Sequence, residues 1–409
     1  MINYNFKLLW VSKLISQLGD KFFSIALAWW ILQETDSTVS MGFFLFASVV
    51  PGIIFGFFTG ALCDRWNRKR IMVITDAIRG ILVLTISILA YLDILMVWQV
   101  FVIGICLSIM AAFFDPSSQA ILPDIVVKED LKKANSMCQM VSGLCSTLGP
   151  MLGALIVSFF GTGMVFLLNS ISFFAAVLLT GMMRYKPMYR SSEKVRSTIM
   201  SDIREGLYFI RKRNHMVAVL VVIGAAHFFV GSLSVSLPFL ANSLTGKGVN
   251  NLGSLEMLMG IGLLSGAAFR RLTKNVTATE KGSPSVSGLM KLMLCYGVCF
   301  LFLSAAGFFH MSSVALYLPS MFLIGVIMAN ASIFWQLLLQ INTPSEMMGR
   351  VCGIASLIGN ASLPIAYGII GIVLNYCGIA SVMLFSGVSL MILSIIFMKG
   401  QSRSDLSTV

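Results

Sequence analysis

Charge is scarce in this 409-residue chain: Asp, Glu, Lys and Arg make up 11% of it, against about 25% in soluble domains. That scarcity excludes a soluble globular protein, whose surface needs charge on every side. Histidine is rarer still, at three residues, and the eight cysteines follow no metal-ligand spacing. Cys295 and Cys299 share a helix face, but two thiols in an apolar segment are packing residues. Neither a metal site nor a disulfide framework is expected. Catalytic motifs are missing too: there is no Gly-x-Ser-x-Gly, no His-Glu-x-x-His and no nucleotide-binding glycine loop ending in Lys-Ser or Lys-Thr. These absences leave nothing for a membrane-embedded enzyme to work with and exclude ATP as a directly used energy source. No polar stretch is long enough for a receptor's signalling domain.

What the chain has in abundance is apolar sequence, at 57% hydrophobic residues and a mean hydropathy of +0.89. Twelve segments reach spanning length, near 8–32, 41–62, 71–91, 98–121, 137–159, 164–183, 216–240, 254–272, 289–309, 314–339, 351–374 and 379–398. An all-α polytopic membrane protein is expected. The first run is too long for a cleaved signal and ends in Gln33-Glu34-Thr35-Asp36, so it is expected to remain as a span. The net charge of +12 does not point to nucleic acid, because its placement is topological. Arg65, Arg68, Lys69, Arg70, Lys128, Lys132, Lys133, Arg270, Arg271, Lys274 and Lys281 fall in loops on one side, and only Lys247 on the other. By the positive-inside rule both termini are cytoplasmic.

The longest polar interruption, 184–215, holds nine Lys or Arg against three acids and divides the spans six and six. Ile199, Ile203, Leu207 and Ile210 recur in it at helical spacing, which predicts an amphipathic helix on the inner membrane surface. It is expected to contact anionic lipid. The flanking halves are alike. "LPDIVVKEDLKKANSM" follows the fourth span and "LLQINTPSEMMGRVCG" the tenth, and the next helix carries Pro150 in one case and Pro364 in the other. The organisation is therefore a bundle over 1–183, a linker over 184–215, a second bundle over 216–400 and a tail over 401–409. Six-helix repeats of this kind mark transporters that rock one half against the other.

The sharpest local signal is "GALCDRWNRKR", Gly60 to Arg70. It resembles the loop motif of the major facilitator superfamily, G-x-L-x-D-R-x-G-R-K, at Gly60, Leu62, Asp64, Arg65, Arg68 and Lys69. Asn67 replaces the second glycine, and asparagine tolerates a left-handed turn better than most residues. "GPMLG", Gly149 to Gly153, is similar to the antiporter motif of drug-efflux members; an ordinary proline kink with small-residue packing explains it equally well. "LLWVSKLISQLGDKFFSIALAWWIL", "FFDPSSQAILPDIV" and "DIREGLYFIR" resemble the branch of macrolide-efflux proteins and siderophore exporters. The resemblance implies twelve helices in two pseudo-symmetric six-helix bundles, the major facilitator fold, in a bacterial cytoplasmic membrane. It also implies a conformational latch of Gly60, Asp64, Arg65 and Arg68 with Asp124 as the partner of Arg68. In the second half Arg270 stands where Asp64 would be, so the matching latch is degenerate.

The resemblance places the first span along a central cavity. Gln17, Asp20 and Ser24 share one face of it with Lys13. A charge at mid-depth costs roughly 2.5–3.5 kcal/mol on insertion scales and faces a bundle interior or water. Asp20 is either a proton carrier or a member of a fixed pair with Lys21, Lys13 or another helix. Asp115 before Pro116 and His227 are further proton-coupling candidates, although a lone histidine among Ala, Phe and Gly also reads as a packing residue. Asp76 and Arg79 read as a local pair, and Glu256 as a group near the outer end of the eighth span. Gln17, Ser24, Gln119, Gln139, Phe228, Asn330, Trp335, Gln336 and Asn360 are candidates for the substrate cavity, since large apolar ligands need aromatic walls with a few polar anchors. The expected activity is export of amphipathic small molecules, such as macrolide-like drugs, by proton-coupled alternating access. The expected partners are substrate, protons and membrane lipid, with no cofactor, no nucleic acid and a monomeric state. A lysophospholipid flippase or siderophore exporter of the same fold is the alternative.

Overall fold

The structure is a computed structural model that describes residues 3–185, 199–274, 286–344 and 347–406. Among these residues every regular element is helical, as hydrocarbon requires of a chain that must satisfy its own backbone. The first half contains α1 (Tyr4–Thr35), α2 (Thr38–Arg65), α3 (Arg68–Tyr91), α4 (Val97–Ala120), a single turn α5 (Leu122–Ile125) and α6 (Leu131–Met182). Then come α7 (Ile199–Arg211), α8 (Asn214–Ser243), α9 (Gly248–Lys274), α10 (Val286–Phe308), α11 (Val314–Asn342) and α12 (Met348–Leu406). Eight of the described helices are long and apolar enough to cross a membrane. Helices α1 and α9 also exceed spanning length.

Two helices are too long for one crossing: α6 has 52 residues and α12 has 59. Each contains one glycine with a positive φ, Gly161 (φ 80°, ψ 171°) and Gly378 (φ 72°, ψ 167°). Contacts with α1 show what that glycine does. Trp10, Gln17 and Lys21 meet Met137, Ser142 and Gly149 in rising order, so the first limb of α6 runs parallel to α1. Ser12, Gly19 and Phe23 meet Thr180, Asn169 and Phe166 in falling order, so the second limb runs back. Helix α6 is a hairpin of two limbs.

The second half repeats this plan. Gly224 lies against Ile358 and Gly231 against Ala366, so α8 is parallel to the first limb of α12. Gly297 lies against Met391 and Gly307 against Ala380, so α10 is antiparallel to the second limb. Helix α3 stands in the same relation to α6, with Gly80 beside Phe173 and Ser87 Oγ donating to the Gly163 carbonyl at 3.0 Å. Pro150 and Pro364 lie inside the first limbs, ahead of the turning glycines.

The chain forms two compact units, one of residues 1–191 with 241–257 and the other of 192–240 with 258–409. The end of α8 and the start of α9 thus pack with the first unit, although they follow the linker in sequence. One end of the first unit is closed by an apolar core that includes Phe6, Leu9, Met72, Phe114, Ile121 and Met183. The amphipathic helix expected in the linker is α7. Gly206 lies against Ile354 of α12 and Ile210 is buried, while Leu207 and Tyr208 are exposed.

The turning glycines make a clean test, because a Cβ at Gly161 or Gly378 would meet nothing within 4 Å. The same is true of Gly181, which has an ordinary helical backbone. Gly161→Ala and Gly378→Ala should each cost about 1–3 kcal/mol through backbone strain alone. Thermal unfolding in detergent should show both melting below the wild type and Gly181→Ala melting with it. Equal melting of all three would contradict the hairpin reading.

Candidate functional site

Two cations at the start of α3, Arg68 and Lys69, tie one end of the first unit together. Asn67 caps the helix, accepting from the Arg70 amide at 3.2 Å. Its backbone is extended at φ −70°, so it serves as a helix cap and does not use the left-handed tolerance expected of it. Arg68 donates to Asp124 Oδ2 at 2.7 Å and to the Ala120 carbonyl at 2.9 Å. Tyr185 donates to the same Asp124 oxygen at 2.8 Å, and burial together with that hydrogen bond pushes its phenol up to about 12. Lys69 donates to the carbonyls of Gly181 and Met183, both at 2.7 Å, which places a cation at the C-terminus of α6. The side chains of Gly60, Asp64 and Arg65 lie outside the described residues, as does that of Arg270.

The same unit holds a second group of charges, drawn from α1, α3 and α4. Asp76 on α3 is fully buried, and neither of its oxygens accepts a hydrogen bond. Its cationic neighbour is Arg79, with Nη1 at 3.8 Å from Oδ1. That guanidinium is enclosed by two rings, at 5.3 Å from the Phe114 centroid and 5.4 Å from that of Phe173. It acts electrostatically not only on Asp76 but also on Asp20 of α1 and Asp115 of α4. Asn169 of α6 is fully buried beside Asp20. Lys21 acts on Asp20 and Lys13 on Asp115. The pair read as local thus has two further carboxylates, Asp20 and Asp115, within its electrostatic reach.

The close approach of α1 and α6 holds this cluster in place. A Cβ at Gly149 would lie 2.5 Å from Lys21 Cβ, and one at Gly153 2.9 Å from Phe22 Cα. Gly149, Pro150 and Gly153 therefore form a packing surface for the charged turn of α1, and the helix continues through Pro150. Glu256 is eight residues into α9 and acts on Lys21, so it belongs to the helix interior and not to the outer end expected for it.

The remaining candidates separate by environment. Gln17 accepts from Ser142 Oγ at 3.1 Å, and the exposed Ser24 donates to the Lys21 carbonyl at 2.9 Å. Asp115 and Gln119 are both exposed one turn apart on α4, and Gln139 is exposed on α6. In the second unit His227 is held by its own helix, Nδ1 lying 2.8 Å from the Ile223 carbonyl and the ring packed on Gly359. That geometry matches the packing reading of this histidine. Asn330 donates to the Val326 carbonyl at 2.8 Å. Phe228 packs edge-on to Phe229, Trp335 is half-buried, and Gln336 and Asn360 are exposed. A cavity of about 450 Å³ opens at the C-terminal end of α1, lined by Trp29, Gln33, Ser158 and Lys247 among others. There Lys247 donates to Ser158 Oγ at 3.1 Å.

Comparison with known proteins agrees with this architecture. Residues 9–367 match the family described as the Major Facilitator Superfamily. An uncharacterised MFS-type transporter of Bacillus subtilis, YfiS, is 25% identical over 96% of this chain and 92% of its own length. Macrolide efflux protein A of Streptococcus pyogenes is 23% identical over 55% of each chain. The staphyloferrin A transporter of Staphylococcus aureus is 28% identical over 41% of this chain and 43% of its own. Among solved structures, a point-mutant form of the nucleoside transporter NupG superposes with a TM-score of 0.76, covering 97% of this chain and 99% of that one at 14% identity. That likeness concerns the fold.

Removing the central cation should be costly. Arg79→Ala leaves buried carboxylates uncompensated, which costs about 3–5 kcal/mol where a buried pair is broken from one side. Thermal unfolding should show a large loss for Arg79→Ala and a partial recovery when Asp76→Asn is added. An Arg79→Ala protein as stable as the wild type would show that the cluster is not coupled.

Proposed function

Because the chain belongs to the Major Facilitator Superfamily, and is thus a multi-pass membrane transporter and not an enzyme, we propose that it exports amphipathic small molecules by proton-coupled alternating access. The carrying observation is the cluster around Arg79. One guanidinium acts electrostatically on Asp76, Asp20 and Asp115, so in this reading a proton taken by one acid changes the charge balance felt by the others. Buried ions are tolerated only when matched, and this makes the cluster sensitive to a single proton. In this reading Asp20 and Asp115 carry the proton, Asp115 from its exposed position, while Asp76 anchors Arg79. His227 has no part in it.

The twelve-span count, with α1 and α9 included, belongs to the same proposal, as do a bacterial cytoplasmic membrane and cytoplasmic termini. So does a monomeric carrier driven by the proton gradient without a cofactor. Gln17, Ser24, Gln119 and Gln139 are the polar anchors offered to substrate from the first unit, and Trp335, Gln336 and Asn360 those from the second. The Arg68–Asp124 pair acts as a latch on one conformation. Macrolide efflux protein A supports an amphipathic drug as substrate, and the staphyloferrin A transporter supports a siderophore as the alternative. A lysophospholipid flippase of this fold is distinguished from both by the same assay.

Inside-out vesicles with an acidified lumen and a pH-sensitive dye test the reading. A macrolide, a second lipophilic drug, a catechol siderophore and a lysophospholipid are added in turn. At least one should release protons from the lumen, and Asp20→Asn should abolish that release with protein level unchanged. Continued proton release by Asp20→Asn would move the role to Asp115. Translocation without any proton movement would contradict coupling altogether.

A further inference from the structure

The second unit carries its own concentration of charge, which the proposed transport does not use. Helix α7 and the turn into α8 line a cavity of about 520 Å³ with Glu205, Tyr208, Phe209, Lys212, Arg213 and Met347. Glu205 is taken by Arg350, whose Nη1 lies 2.5 Å from Oε2. Lys212 and Arg213 have no carboxylate partner among the described residues and rest on aromatic rings instead. Lys212 Nζ lies 4.3 Å from the Tyr208 centroid and Arg213 Cζ 3.9 Å from that of Phe209.

We propose that this cavity binds the headgroup of an anionic phospholipid, whose acyl chains lie along α8. A guanidinium resting over a ring spends none of its N–H groups on a hydrogen bond to it, and those N–H groups fit a phosphate in a fork. The neighbouring lysine adds a point charge, and Arg350 cancels the one described carboxylate that would repel the ligand. The wall beyond the cations is apolar. Arg213, Val217 and Val221 follow at four-residue steps and share a face, with Val217 37% and Val221 39% exposed. Leu207 and Tyr208 on α7 are exposed as well. Phosphate binding next to a lengthwise apolar track matches the layout of a phospholipid and not of a free anion, which would use only the first part. The nine cations of 184–215 against three acids add general attraction to an anionic surface. Helix α7 is seated on α12 through Gly206, and Ile210 is buried. A bound lipid therefore braces α7, α8 and the start of α12 together.

The test uses the full chain in nanodiscs of phosphatidylcholine alone or mixed with phosphatidylglycerol. Lipid retained on transfer to detergent is read by native mass spectrometry. The wild type should retain phosphatidylglycerol over phosphatidylcholine. Lys212→Gln with Arg213→Gln should lose that preference several-fold, and Lys132→Gln with Lys133→Gln, an exposed pair in the first unit, should keep it. The single exposed change Lys212→Gln, which disturbs no buried contact, should show an intermediate loss. Excess inorganic phosphate should not displace the lipid. Equal retention by the Lys212 and Arg213 variants would overturn the site, and complete displacement by phosphate would make it a free-anion site instead.

Discussion

An ionised side chain inside hydrocarbon has to be matched by another, and in the first unit that match is made by Arg79. Everything near it follows from the demand. Two phenylalanine rings exclude water from the guanidinium, Asp76 is held at one side, and Asp20 and Asp115 arrive from α1 and α4. Small residues on α6 let the charged turn of α1 come close enough to take part. A lone fixed pair would need one acid for one base. Here Arg79 acts on three acids, two of which also feel a lysine of α1, and it is on that sharing that the proposed proton coupling rests.

Much of this was legible in the sequence because membranes constrain composition so strongly. The scarcity of charge, the spacing of apolar runs and the clustering of lysine and arginine on one side of the chain follow from the bilayer alone. The inner-loop motif also named a pairing, Arg68 with Asp124, that the structure sets at 2.7 Å. The similarity of the halves was visible in two loops and two prolines. Its physical form, a hairpin turning on one positive-φ glycine in each half, was not, because Gly161 and Gly378 are two among 35 glycines.

What sequence reasoning missed was mostly nonlocal. Asp76 and Arg79 are three residues apart and satisfy a helical pair rule, so nothing in the local pattern asks for more partners. Asp20 and Asp115 reach Arg79 only after α1, α3 and α4 have packed. Lys69 read as one more inner-surface cation, yet it caps the end of a helix more than a hundred residues away in the chain. Asn67 was assigned a turn it does not make, because both a cap and a left-handed residue favour asparagine. Periodicity did find α7, but not that the two cations just after it, Lys212 and Arg213, rest on its rings Tyr208 and Phe209.

The central claim is that the Arg79 cluster holds a proton that exchanges with water. Infrared difference spectroscopy of the reconstituted protein between acidic and alkaline baths measures this directly, through the carboxylic acid C=O band. The account predicts a band that grows on acidification, loses a component in Asp20→Asn or Asp115→Asn, and shifts in frequency when Arg79 is replaced by lysine. A spectrum indifferent to all three changes would show the acids to be fixed ion pairs, and the cluster to be scaffolding.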